Sequence, residues 1–114
     1  MVNDTFYILE DVKTLLGEIG NTNNSKITTY GFMADNKIKI SLARITDPLT
    51  GLDVIPYTII PDEIHDIATA LTVGYFYKFE SGSVDILEQA LSDLQEYIDN
   101  TYRRIRFVTA GAEI

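Results

Sequence analysis

The chain contains no cysteine and a single histidine, His65. The first absence removes disulfides, thiolate metal sites and cysteine nucleophiles, and leaves the redox compartment undetermined. The second excludes a His-rich zinc site within one chain. Basic residues are scarce as well. Nine stand against seventeen acidic ones, for a formal charge of −8. Such a surface repels phosphate at long range, so tight binding of duplex DNA through a broad basic face is not expected. The opening Met-Val-Asn-Asp-Thr carries neither the basic nor the apolar stretch of a signal peptide. Leu71–Phe79, interrupted by Thr72, Gly74 and Lys78, is too short to span a bilayer. The expectation is a soluble protein without a membrane partner.

What is present fits one ordinary globular domain over residues 1–114, with 46% hydrophobic and 23% charged residues. Ile8, Val12, Leu15, Leu16 and Ile19 recur at helical spacing, and Gly20 with the following Asn residues predicts the end of a first helix. Ser25 is a candidate N-cap for a second helix reaching about Arg44, on the stripe Ile27, Tyr30, Ala34, Ile38, Leu42 and Ile45. Asp35 and Lys39 form an i,i+4 pair assigned to its outer face. Gly31 inside the pattern implies close packing or a bend. A strand over Lys37–Leu42 is the competing local reading.

Thr46 to Ile60 changes character. Asp47-Pro48 and Thr50-Gly51 are turn dipeptides, while Leu52, Val54, Ile55, Tyr57, Ile59 and Ile60 favour extended chain. This predicts a long apolar loop or hairpin that lies against something. Pro61, Asp62 and Glu63 open a third helix, with Ile64, Ile67, Ala68, Leu71 and Tyr75 as its core stripe. Val73, Phe76, Tyr77 and Phe79 then place apolar groups on other faces too. A helix apolar all round must be covered all round, which points to a partner on one side. Gly82 and Ser83 separate it from a fourth helix, where Leu87, Leu91, Leu94, Ile98, Tyr102 and Ile105 repeat with helical spacing. The short connection makes helices three and four an antiparallel pair. Residues 107–114 read as a C-terminal tail. The expected fold is therefore mainly α: about four helices, with a long extended loop or hairpin between the second and third.

No chemistry stands out. His65 shares a face with Asp62 alone, and two ligands make no metal site, so it reads as part of a solvated helix start. None of Ser25, Ser41, Ser81, Ser83 and Ser92 stands in a nucleophile elbow. The carboxylates lie on solvent-directed helix faces, and no Walker or GxGxxG pattern occurs. The expectation is a protein that is not an enzyme and uses no cofactor, metal or small-molecule substrate. Arg103, Arg104 and Arg106 with Phe107 follow a stretch from Lys78 without basic residues that holds Glu80, Asp85, Glu88, Asp93, Glu96 and Asp99. The arginines either offset the helix dipole and pair with Asp99, or dock on an acidic surface such as that of an identical subunit. The candidate contact residues are Leu52, Val54, Ile55, Tyr57, Phe76, Tyr77, Phe79, Arg103, Arg104, Arg106 and Phe107.

The opening Leu9-Glu10-Asp11-Val12-Lys13-Thr14-Leu15-Leu16, the segment Ile60-Pro61-Asp62-Glu63-Ile64 before an aromatic-rich helix, and the closing helical pair together resemble the head–tail connector, or head-completion adaptor, proteins of tailed viruses. The likeness covers most of the chain in layout, and departs from commoner members in the longer, more apolar loop Thr46–Ile60. The resemblance implies a structural virion protein that forms a homo-oligomeric ring, commonly dodecameric. It would sit in the neck below the portal protein, contact later neck or tail proteins, and let DNA pass through its lumen without specific binding. Before assembly it would reside in the host cytoplasm. The other readings are a small helical binding module or inhibitor that covers a target protein, and an accessory subunit of an enzyme.

Overall fold

The computed structural model describes residues 5–17, 20, 22–43, 45–46, 51–55, 57 and 59–103, with backbone only at 103. Ile19, Asn21, Arg44, Asp47, Pro48, Thr50, Pro56, the Arg103 side chain and everything from Arg104 on, including Ile105, Arg106, Phe107 and the tail, lie outside it. The described chain is mainly helical: α1 Leu9–Leu16, α2 Asn24–Leu42, α3 Asp62–Ser81 and α4 Asp85–Ile98, the last running into a π-helical turn at Asp99–Arg103. The expected four helices and the loop between the second and third are all there.

The boundaries shift for local reasons. α1 stops at Leu16, short of the expected Ile19, because Gly17 takes φ 73° and its N–H caps the carbonyls of Lys13 and Thr14. α2 begins one residue before Ser25, with Asn23 in the capping position. α3 starts after Pro61 and ends where Gly82 adopts φ 78°. α4 begins at Asp85, and Val84, not Ser83, stands at its cap. Lys37–Leu42 is helical, so the strand alternative is discarded.

α3 is the central helix. α2 and α4 pack along it and α1 lies against it as well. Ile64, Ile67, Ala68, Leu71, Thr72, Val73 and Gly74 are all buried, which is far more than one stripe. From Ile64 to Gly74 the apolar faces of α3 are thus covered by the other helices of the same chain, whereas further on Tyr75, Phe76 and Tyr77 are half-buried and Phe79 is exposed. The core draws on every helix, including Val12, Ile27, Ile38, Leu42, Ile64, Leu71, Leu87, Leu94 and Ile98. Each large aliphatic side chain so buried contributes about 1.5–3 kcal/mol relative to exposure. Gly74 lets α4 approach closely, since a Cβ there would lie 2.6 Å from the Leu87 Cα.

The connection from α2 to α3 holds one isolated antiparallel bridge, between Thr46 and Asp53; beside it the Val54 N–H donates to the Ile45 carbonyl at 3.1 Å, and Gly51 takes φ 73°. Val54 enters the core, and Ile45, Ile55, Tyr57 and Ile60 pack against it. Most of this loop's apolar content thus belongs to the fold of the single chain. Leu52 and Ile59 do not, being 69% and 83% exposed.

Candidate contact surfaces

The candidate contact residues fall into three groups. Val54 is buried, so it is reassigned from contact surface to core. Ile55 and Tyr57 are half-buried against that core, and the Tyr57 and Tyr102 hydroxyls meet at 3.0 Å. Burial, reinforced by this bond, drives the Tyr57 phenol far above its ordinary range. Tyr97, edge-on to the Tyr102 ring, is pushed up to about 12, chiefly by burial. Tyr57 thus joins a tyrosine cluster against the π-helical turn, and Leu52 and Ile59 remain exposed apolar side chains of the stretch.

The second group is the C-terminal end of α3. Phe76 and Tyr77 are half-buried against the core, whereas Phe79 is 52% exposed. Tyr75 and Tyr30 both lie nearly parallel to the Phe79 ring, with centroids at 6.4 and 5.7 Å, and Phe76 meets Tyr30 edge-on. The spacing Tyr75–Phe79 is i,i+4 on one helix, and Tyr30 joins from α2. Lys26 pairs with Glu80 at 2.8 Å and the Tyr30 hydroxyl donates to the other Glu80 oxygen. These partners, Lys26 first, hold the Glu80 carboxylate below its usual range. Both ends of the ion pair are open to solvent, so it orders the ladder of rings more than it stabilises the fold.

Arg104, Arg106 and Phe107 lie outside the described residues, as does the Arg103 side chain; Asp99 accepts a bond from Gln95 Nε2 at 3.0 Å. Of the acidic residues assigned to solvent-directed faces, Asp62, Asp66, Asp85, Glu88, Asp93 and Glu96 are exposed, Asp99 is half-buried and Asp35 is buried. Glu63 and Asp66 of α3 and Asp93 and Glu96 of α4 rim an open cleft of about 340 Å³ floored by Ile67 and Tyr97. Among the described residues no three His, Asp or Glu side chains are grouped to hold a metal, and no helix is long and apolar enough to cross a membrane.

One cluster was missed entirely in the sequence. Asp35, assigned to the outer face of α2 with Lys39, is only 3% exposed. Its carboxylate accepts the N–H of Phe6 at 3.1 Å on both oxygens and that of Tyr7 at 3.2 Å. Burial raises the Asp35 pKa, and these two bonds, Lys39 and His65 work against that rise. His65 is likewise not a freely solvated helix start. Its Nδ1 lies 2.7 Å from the Phe6 carbonyl oxygen, and because a carbonyl only accepts, Nδ1 carries the proton. The Phe6 ring meets Tyr57 edge-on and sits under the Lys39 ammonium. The Tyr7 ring lies against Gly31, where a Cβ would be 2.5 Å from it. Gly31 therefore marks a close approach, one of the two meanings its position allowed.

Compared with protein-family models, curated proteins and solved structures, the chain matches none.

Proposed function

We propose that the chain is a non-catalytic structural subunit that assembles with copies of itself, in the manner of the head–tail connectors of tailed viruses. In this reading a ring of subunits, located in the virion neck, joins a portal protein to later neck or tail proteins and leaves a passage for DNA. The observation that supports the contact-based part is the ladder of Tyr30, Phe79 and Tyr75, in which Phe79 is exposed and its two neighbours are half-buried. A contiguous aromatic patch in water is an unfavourable surface for a lone chain and a favourable one at an interface, where Tyr and Phe are enriched. Leu15, Phe32, Ile40 and Leu52 add further exposed apolar side chains, on α1, α2 and the loop. The ring and its place in a virion rest on the resemblance in helix order and in the segments Leu9–Leu16 and Ile60–Ile64.

The test is sedimentation velocity over a wide concentration range, alone and with purified portal rings. Mass rising in whole multiples of the chain, or many-copy binding to the portal, is the expected result. A chain that stays monomeric throughout and ignores every portal ring would overturn the proposal. Replacing Phe79 by Ser is expected to weaken association while far-UV circular dichroism stays helical.

A further inference from the structure

The cleft between α3 and α4 combines two kinds of surface. Its rim carries exposed carboxylates from both helices, Glu63 and Asp66 on one and Asp93 and Glu96 on the other. An acidic rim alone would be an ordinary solvated helix face. Here the floor is apolar, made by Ile67, only 8% exposed, and the half-buried ring of Tyr97. Among the described residues none of these carboxylates stands in a salt bridge; the pair Lys26–Glu80 lies at the far end of α3. The cleft therefore suits an occupant that is cationic on one side and apolar on the other.

The chain carries such a segment beside the cleft's own end. Asn100 and Thr101 line the cleft, and Thr101 stands three residues before Arg104. Arg104-Ile105-Arg106-Phe107 alternates cationic and apolar side chains. In extended chain this alternation puts Ile105 and Phe107 on one side and the arginines on the other. The apolar side matches Ile67 and Tyr97. The long arginine side chains match the carboxylates around them, and a guanidinium also stacks favourably on a tyrosine ring. The lengths agree. Asp93 to Thr101 rises roughly 12 Å along α4, and four extended residues span roughly 13–14 Å.

We infer that the α3–α4 cleft binds the chain's own segment Arg104–Phe107, doubled back along α4. Charge complementarity selects a basic occupant, and proximity selects this one. A segment joined to its site by so few residues meets it at an effective concentration on the order of millimolar, above that of free copies at micromolar concentration. Exposed ion pairs alone are weak, so the apolar floor is what makes the position specific. The inference does not depend on self-assembly, since a lone chain would show it too. Its consequence is that an open acidic face becomes covered and neutralised, and is withdrawn from the surfaces that a neighbour can use.

Because the chain has no cysteine, Val108→Cys places a single nitroxide label next to the segment. In ¹⁵N-labelled full-length chains carrying it, the amides of Glu63, Ile67 and Tyr97 are expected to broaden. In a mixture of nitroxide-bearing unlabelled chains with ¹⁵N wild type, they are expected to stay sharp. Adding Arg104→Glu and Arg106→Glu should abolish the broadening, and Glu63→Lys with Glu96→Lys should restore it in that background. Since a variant could fail to fold, the wild type supplies a reading without any substitution: NOEs from the Phe107 ring to the Ile67 methyl groups. Their absence, or broadening that survives the charge reversal, overturns the inference. So does broadening that appears between chains and not within one, which would make the occupant a second copy and leave the self-assembly proposal standing.

Discussion

Replacing Gly74 by Ala tests how α3 and α4 are held together. An ideal Cβ at this position would stand 2.6 Å from the Leu87 Cα, 2.8 Å from its N and 3.0 Å from its Cβ. Carbon atoms pack best at about 3.5–4.0 Å, so the two helices must part by roughly 1 Å. The obstruction is backbone, and no rotamer change relieves it. A gap of that size forfeits on the order of a quarter to a half of the dispersion energy of the atoms it separates. Leu87, Ala90 and Leu94, which face α3 in the core, are the side chains affected. Overpacking of this kind costs about 1–3 kcal/mol. The better helix propensity of Ala returns about 1 kcal/mol. The upper part of the range is expected to win, leaving a net loss of about 1–2 kcal/mol. For a domain of this size that lowers Tm by on the order of 10 °C. Thermal unfolding followed by far-UV circular dichroism measures it. Gly20→Ala is the control, since a Cβ there meets nothing and the residue has no positive φ. A Gly74→Ala protein as stable as the wild type would refute the close approach of α3 and α4.

Two further predictions address the buried carboxylate and the loop. The Asp35 pKa is raised in the folded chain, so the folded state holds that proton more tightly than the unfolded one. The group's contribution to stability is then full below the unfolded value of about 3.9 and is lost as pH rises through the folded value. Relative to Asp35→Asn, which cannot ionise, the wild type should lose stability across that window in urea titrations; a difference that grows with pH would refute the sign. In the loop, Leu52→Ser should leave unfolding within about 0.5 kcal/mol of wild type, whereas Val54→Ala, in the core, should cost about 1–2 kcal/mol. Equal effects at the two positions in chemical denaturation would contradict the division of the loop into core and surface.

The helices were legible because their signals are local. The Ile27–Ala34–Ile38–Leu42 and Leu87–Leu94–Ile98 repeats each mark one buried face, and Gly82 closes α3 where expected. What escaped is what depends on pairing distant segments. Asp35 looks like an ordinary outer residue beside Lys39 until Phe6 and Tyr7 arrive from almost thirty positions earlier. No spacing rule connects them. The signal available was Gly31, whose missing side chain pointed to a close neighbour without naming Tyr7. Likewise, periodicity cannot tell which of Val73, Phe76, Tyr77 and Phe79 are covered within the chain: Val73 is buried, Phe76 and Tyr77 are half-buried and Phe79 is exposed. The difference is set by how many sister helices surround each position.

The coverage of α3 from within the chain changes where self-assembly contacts can lie. A central helix has no broad free face, so contact surfaces must sit at its ends or on the helices around it. The aromatic ladder is at the C-terminal end of α3, on Tyr75 and Phe79, while His65, near its N-terminal end, is already engaged by the Phe6 carbonyl of the same chain. The fourteen residues from His65 to Phe79 separate these by roughly 21 Å along the helix at 1.5 Å per residue. Under the self-assembly reading, the ladder either meets itself across a two-fold axis or meets a different patch of the neighbour in a head-to-tail contact. In a head-to-tail ring each subunit is an acceptor at one place and a donor at another. A variant damaged at one surface should then be incorporated only at a chain terminus, capping the growing assembly and shortening it, where a two-fold dimer would simply fail to form.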